Sequence, residues 1–497
     1  MYKKIITFLI LITVIISALP LCAGAAGSKA ENITADTVFS GNAYGSFYFL
    51  KDKNISAYRL SAENAQITLE NQNGIGGIYL IFDSAYGEYA VKNNDSGDTV
   101  TAGADGFIHE YIDLAAEFNT APKSVTITFG KERVKLCEIS VFSEGSAPDS
   151  VQVWQKPLDG GADMVLFSTH GDDEQLFFAG LLPLYAGERG YAVQVVYLTD
   201  HRNLTNVRVH EMLNGLWAVG VKAYPVMGSF ADFRIDDLQK TYAKYASMGV
   251  SQDDLLEFVV TQIRRFKPQV AVCHDINGEY GHGMHRVYTD LIIKSLDVTG
   301  NSSKFSESAK KYGTWDIPKV YIHLYDQNQI VMDYDQPLSS FGGLTAFQVT
   351  QQLGFPCHQS QQATWFLGWL NSKSKAADIT KYSPCQFGLY RTKVGADAKK
   401  NDMMENIVSY AQQAENERIE QERLEEEARQ KELEEQKKQQ EEKDNEKNKG
   451  NIIDNLDIST DNFKFELNDT TVLILAQVVF LGFILLIILI KSLFRKQ

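Results

Sequence analysis

Two short stretches of this 497-residue chain carry side chains able to act together on one substrate. The first is His170-Gly171-Asp172-Asp173-Glu174. An imidazole and a carboxylate two to three residues apart on a turn can meet one divalent ion, while a neighbouring carboxylate stays free for proton transfer. Acidic turns at strand ends are common, so this stretch alone does not decide for catalysis. The second is Gly278-Glu279-Tyr280-Gly281-His282-Gly283-Met284-His285. Histidines at i and i+3 lie on the same side of a helical turn, and the flanking glycines let the backbone approach a ligand closely. Three of the nine histidines, His274, His282 and His285, fall within twelve residues here. Together the two stretches supply the three protein ligands and open position of a catalytic zinc site, plus a free acid or base.

The elements that must position them follow from the hydrophobic pattern. From Asp163 onward, apolar runs alternate with longer helical segments. Met164 to Ser168, Val193 to Leu198, Val270 to Cys273 and Val320 to Leu324 read as buried strands; 175–187, 205–220, 253–266 and 285–297 read as helices. This alternation predicts an α/β layer fold with a mostly parallel sheet. In such sheets the loops after the strand C-termini build the site, which is where both stretches fall. Asp200-His201-Arg202 reads as a solvated loop at the cleft rim. Glu279 and Tyr280 either touch a substrate hydroxyl or only shape their loop. Trp365, Phe366 and Trp369 read as a core stripe. Cys357 and Cys385 are a candidate pair that the sequence does not decide.

His170-Gly171-Asp172-Asp173-Glu174, then Arg208-Val209-His210-Glu211 in a helix ending at Val219-Gly220-Val221, then His282-Gly283-Met284-His285, resembles the PIG-L/LmbE-type zinc-dependent de-N-acetylases. The resemblance covers about 163–407, including the Phe387-Gly388-Leu389-Tyr390 strand and the Asn401 to Asn406 tail. It implies a Rossmann-like (LmbE-like) catalytic domain over 160–407. It further implies His170, Asp173 and His285 as ligands of zinc or another divalent ion, Asp172 as general base, His282, protonated, as stabiliser of the oxyanion and leaving group, and Arg208 as a substrate-binding residue. Two departures stand out. Gly171 replaces the family's usual proline and is expected to loosen the turn. Gly283-Met284 lacks the usual carboxylate, which is expected to leave a ligand histidine without its orienting partner.

Elsewhere, residues 35–147 show short alternating stretches such as Ile67-Thr68-Leu69-Glu70 and Ser124-Val125-Thr126-Ile127-Thr128, separated by turn residues. They predict an all-β sandwich, similar in shape to galactose-binding-like domains, that either binds carbohydrate or serves as a spacer. Residues 1–26 have the order of a signal peptide. Val472 to Ile490 is apolar over the length of a membrane-crossing helix, and the basic tail 491–497 orients it with the catalytic region outside. Residues 411–450 hold 14 acidic and 9 basic side chains without a sustained apolar stripe, and read as a solvated helical or disordered stalk. Five cysteines without a C-x-x-C pair exclude a disulfide scaffold, and a net charge of −15 disfavours nucleic acid as a partner. The acidity fits a neutral or amine-bearing glycan better than a polyanion. The sequence thus predicts a membrane-anchored extracellular de-N-acetylase of an N-acetylated glycan or glycolipid. The alternatives are a catalytically weak surface carbohydrate-binding protein and an amidase acting on peptide.

Overall fold

A computed structural model describes residues 28–451, apart from 44–46, 202–205 and 363. The expected leader 1–26, membrane segment 472–490 and tail 491–497 lie outside the described residues. Among the described residues, no helix is long and apolar enough to cross a membrane.

Two antiparallel sheets precede the α/β region. Five strands run in the order β1 (Val38–Gly41), β3 (Gln66–Glu70), β8 (Ser124–Thr128), β5 (Tyr89–Asn93), β6 (Thr99–Ala102). Four run in the order β2 (Leu60–Ala62), β9 (Val134–Phe142), β4 (Gly77–Phe82), β7 (His109–Asp113). Ile67, Leu69, Val125 and Ile127 of the first sheet share one buried core with Ile78, Leu80, Leu136 and Ile139 of the second. The alternation in the sequence is the burial of one face of each strand.

From Met164 to Thr392 the chain builds a seven-stranded sheet. Its strands are β10 (Met164–Ser168), β11 (Val193–Thr199), β12 (Val226–Phe230), β13 (Val270–Cys273), β14 (Lys319–His323), β15 (Gln329–Val331) and β16 (Gln386–Thr392), and its order is β12-β11-β10-β13-β14-β16-β15. The pairs from β12 to β14 are parallel, while β16 pairs antiparallel with β14 and β15. Every residue of β10, β11, β13 and β14 is buried, which is why these strands read as apolar runs. The chain leaves β10 for β11 and β12 on one side, then continues to β13 and β14 on the other. Neighbouring β10 and β13 therefore flank the topological switch point, where a crevice opens at the strand C-termini.

The expected helices 205–220, 253–266 and 285–297 are Val207–Ala218, Gln252–Phe266 and Gly283–Ser295. The expected helix 175–187 is broken. One turn, Asp173–Leu176, gives way at Gly180, whose φ is +92° and whose Cβ would lie 2.5 Å from the Tyr334 ring; Pro183–Glu188 is π-helical. Strand β12 and the Leu238–Ser247 helix lie in a stretch with no expectation from sequence.

The two-sheet region and the segment that follows it hold the Val207–Ala218 helix along its length. Asn206 Nδ2 donates to Asp83 Oδ2 (2.6 Å), His109 Nε2 and His210 Nδ1 share a hydrogen bond (2.8 Å), and Trp217 Nε1 donates to the Asp149 carbonyl (2.9 Å). Gln152 Nε2 donates to Asn214 Oδ1 (2.6 Å). Cys137, Cys273, Cys357 and Cys385 are all free thiols, so Cys357 and Cys385 are unpaired. The charged segment is helical over Tyr410–Asn451 and from Asn416 belongs to a separate unit.

Candidate active site and metal centre

The switch point brings the two histidine-bearing stretches face to face. The chain turns from β10 through Thr169 into the Asp173–Leu176 turn, and from β13 through His274 into the Gly283–Ser295 helix, whose N-cap is His282. Three ligand atoms converge there. His170 Nδ1 lies 3.0 Å from Asp173 Oδ2, His285 Nε2 lies 3.2 Å from the same oxygen, and the two nitrogens are 3.3 Å apart. A tetrahedral ion with bonds of about 2.0–2.1 Å needs donors spaced by about 3.3 Å.

The hydrogen bonding behind the ligands agrees with a cation in front. Asp232 Oδ1, 3.1 Å from His170 Nε2, takes that N–H, and Glu279 Oε2, 2.7 Å from His285 Nδ1, takes the other. In that tautomer the two nitrogens facing Asp173 offer their lone pairs to a metal ion, which competes for them with protons. Burial opposes charge on both rings, but Asp173 and Asp232 outweigh it and lift His170 to about 10, while Asp173 and Glu279 lift His285 to about 9.

Overlapping groups of candidate ligands, His170-His282-His285 and Asp173-His274-His285, share His285. His274 is already spent. Its Nδ1 bonds Glu279 Oε2 at 2.9 Å, and its Nε2 accepts the Thr169 N–H at 3.0 Å. His282 has a buried Nδ1 without a partner, and its ring centre stands 5.0 Å from that of His170 and 4.9 Å from that of His285. Burial, then the charge of His170 and His285, push His282 down to about 3.

Asp172 stands beside the convergent set. Its Oδ1 accepts from Arg208 Nη2 at 3.2 Å, so the substrate-binding candidate and the base candidate meet directly. Both line a cleft of about 540 Å³ together with Asp232, Arg234, Tyr280 and Trp365.

Three residues differ from expectation. Glu279, expected to touch a hydroxyl or shape a loop, is fully buried. Its carboxylate bonds His274 and His285 through Oε2, bonds His323 Nδ1 through Oε1 at 2.6 Å, and accepts the Asp275 N–H. Burial alone would raise its pKa, but the imidazoles hold it well below the usual carboxylate range. The orienting partner expected to be lost at position 284 is therefore supplied by Glu279. Gly171 does not loosen its turn either: its N–H donates to His201 Nε2 at 2.5 Å, a bond that proline cannot make. His201 is buried rather than solvated, and Arg202 lies outside the described residues. Asp232 went unnoticed because β12, which ends two residues before it, is too short and too exposed to read as a strand.

Residues 165–296 match the family model described as PIG-L, GlcNAc-PI de-N-acetylase. A curated 1D-myo-inositol 2-acetamido-2-deoxy-alpha-D-glucopyranoside deacetylase of Catenulispora acidiphila is 23% identical over 249 residues, covering 46% of this chain and 76% of that protein. A protein of the same description from Mycobacterium leprae is 27% identical over 181 residues, covering 32% of this chain and 58% of that protein. The chain thus spans about three quarters of the first relative and somewhat over half of the second. Among solved structures, N,N'-diacetylchitobiose deacetylase from Pyrococcus horikoshii aligns at 14% identity over 46% of this chain and 83% of its own, with a TM-score of 0.32.

Proposed function

We propose that this chain, whose residues 165–296 form a PIG-L-type deacetylase domain, hydrolyses the acetamide of an N-acetylglucosamine-type amino sugar in a glycan or glycolipid, with zinc held by His170, Asp173 and His285. The observation that carries this reading is the convergence of three ligand atoms within 3.3 Å of one another, beside a carboxylate, Asp172, that is not among them. A divalent ion there supplies Lewis-acid polarisation of the acetamide carbonyl and acidifies water, and two imidazoles with one carboxylate suit zinc. Asp172, steadied by Arg208, takes the proton of the attacking water and passes it to the departing amine. His282, whose Nδ1 is uncommitted, hydrogen-bonds the carbonyl oxygen as negative charge develops on it. Asp232 and Glu279 stop the two ligand rings from turning.

The cleft's charge supports a neutral substrate. Its carboxylates are Asp172, Asp173, Asp232 and Asp236, and its guanidinium groups are Arg208 and Arg234, which leaves two negative charges for a divalent ion to balance. A neutral sugar fits such a cleft better than a polyanion does. The proposal is tested by acetate release from a panel of N-acetylated sugars, glycans and peptides by the zinc-loaded chain. Release from sugars is expected; release from peptides alone would favour a peptide amidase.

We further read residues 35–147 as a β-sandwich domain, 1–26 as a leader and 472–490 as an anchor that leaves 160–407 outside the membrane. Protease treatment of intact cells is expected to degrade or release the 160–407 region, and its full protection would contradict the outward orientation.

A further inference from the structure

Residues 350–361 lie outside the stretch matched by the family model, yet they are bolted to two elements of the site. They form three short turns, Thr350–Gly354, Phe355–Cys357 and Gln359–Gln361, that pack on the Val207–Ala218 helix. Thr350 Oγ1 accepts the Gly180 N–H at 3.0 Å. The His358 ring is buried, and its Nε2 lies 3.1 Å from Oε1 of Glu174, which is buried as well. Ser360 donates to Glu211 twice, through its N–H to Oε1 at 2.8 Å and through its hydroxyl to Oε2. The segment then leads into the Thr364–Leu370 helix, where Phe366 and Trp369 pack against the buried core as expected, while Trp365 is 46% exposed and lines the cleft.

The two carboxylates held in this way each stand close to a group of the site. Glu174 follows Asp172 by two residues, on the turn that Asp172 caps, and Glu211 is one helical turn beyond Arg208. Arg208, Glu211 and Gly215 fall at i, i+3 and i+7, so they share one side of the helix. Another side, through Asn206, His210, Asn214 and Trp217, is held by the hydrogen bonds described above. The fit on the first side is close. A Cβ at Gly215 would lie 2.7 Å from His358 Nε2, and one at Gly354 would lie 2.1 Å from Gln175 Oε1.

The contact of 3.2 Å between Asp172 and Arg208 joins elements that follow different strands, the turn after β10 and the helix after β11. The 350–361 segment joins the same two elements a second time, from Glu174 through His358 and Ser360 to Glu211. We propose that His358 and Ser360 are positioning residues: their bridge sets the distance at which Arg208 steadies Asp172, and so aims the base at its water. A displacement of about 1 Å at such a group is enough to cost a large factor in rate. This rests on the deacetylase reading above.

The test measures acetate release from an N-acetylated sugar by the zinc-loaded full chain. His358→Ala is expected to lower kcat by roughly 10- to 100-fold, with KM changed by less than about threefold and one zinc per chain retained. His358→Gln, which keeps a donor for Glu174, is expected to restore most of kcat. Gly215→Ala reaches the same contact from the other side: its methyl pushes an intact His358 ring away from Glu174, and kcat is expected to fall in the same way. In an Arg208→Ala background the bridge has nothing left to set, so adding His358→Ala is expected to lower kcat by no more than about twofold further. If His358→Ala does not fold, Gly215→Ala takes its place in this cycle. A near-native kcat in the single variants, or losses that simply multiply in the double variant, overturns the bridge while leaving the deacetylase standing. Failure of the native chain to release acetate from any sugar overturns the deacetylase reading, and the role of the bridge with it.

Discussion

Glu279 concentrates the chemistry of support in one side chain. A buried carboxylate that accepts from three imidazoles fixes the tautomer of a metal-ligand candidate and gains enough from its partners to stay ionised. Glu279→Gln keeps the shape but replaces one of the two acceptor oxygens with a donating NH2 group. It is expected to weaken zinc binding by about 10- to 100-fold, read by metal analysis after dialysis against graded chelator. Glu279→Ala should in addition destabilise the fold by about 3–5 kcal/mol, because buried donors lose their partner. Unchanged zinc affinity in Glu279→Gln would show that His285 needs no such partner. His170, Asp173 and His285 were named through the motifs that resemble the PIG-L/LmbE-type family, and each sits on a local turn or helix start that its own neighbours build. Glu279 and Asp232 were not legible in the sequence, because their roles depend on partners that arrive from other strand ends, His323 from β14 and His170 from β10.

At the level of elements, the parallel strands were legible because their full burial leaves continuous apolar runs. The break at Gly180 was not, because the obstacle is the Tyr334 ring, which comes from a distant part of the chain. The joint between the two-sheet region and the Arg208 helix was equally invisible, since His109 and His210 meet only in three dimensions. That joint is expected to be acid-sensitive. Burial pushes His210 down to about 4, against the partial opposition of Asp83, and His109 shifts in the same direction. The unfolded chain protonates first, near 6.5, so stability is complete above that pH and is lost as the pH falls toward 4. For His210 the loss is on the order of 3 kcal/mol. Thermal unfolding followed from pH 7 to pH 4 should show this decline, and His210→Gln should flatten it. An identical decline in the variant would place the acid-sensitive group elsewhere.

Across the whole molecule, the net charge of −15 divides into a charged helix, basic ends and an acidic folded portion. The Tyr410–Asn451 helix starts on the catalytic region, with the Tyr410 N–H donating to Asp163 and its hydroxyl donating to the Lys267 carbonyl. Beyond that start it relies on its own pairs. Arg423 meets Glu420 and Glu427, and Arg429 meets Glu426. Such exposed pairs each contribute little and are screened by salt. Far-UV circular dichroism of a 410–451 peptide is expected to show partial helix that weakens at high salt, and a fully unstructured spectrum at low salt would contradict a helical stalk.

The central claim is that one metal, held by His170, Asp173 and His285, works with Asp172 as a base that is not itself a ligand. Its most direct test measures metal content and acetate release together, for the native chain and for Asp172→Asn. The account predicts one zinc per chain in both, acetate from an N-acetylated sugar with the native chain, and a rate lower by about 10²- to 10⁴-fold in the variant. Loss of zinc from Asp172→Asn, or a near-native rate in it, would contradict the account.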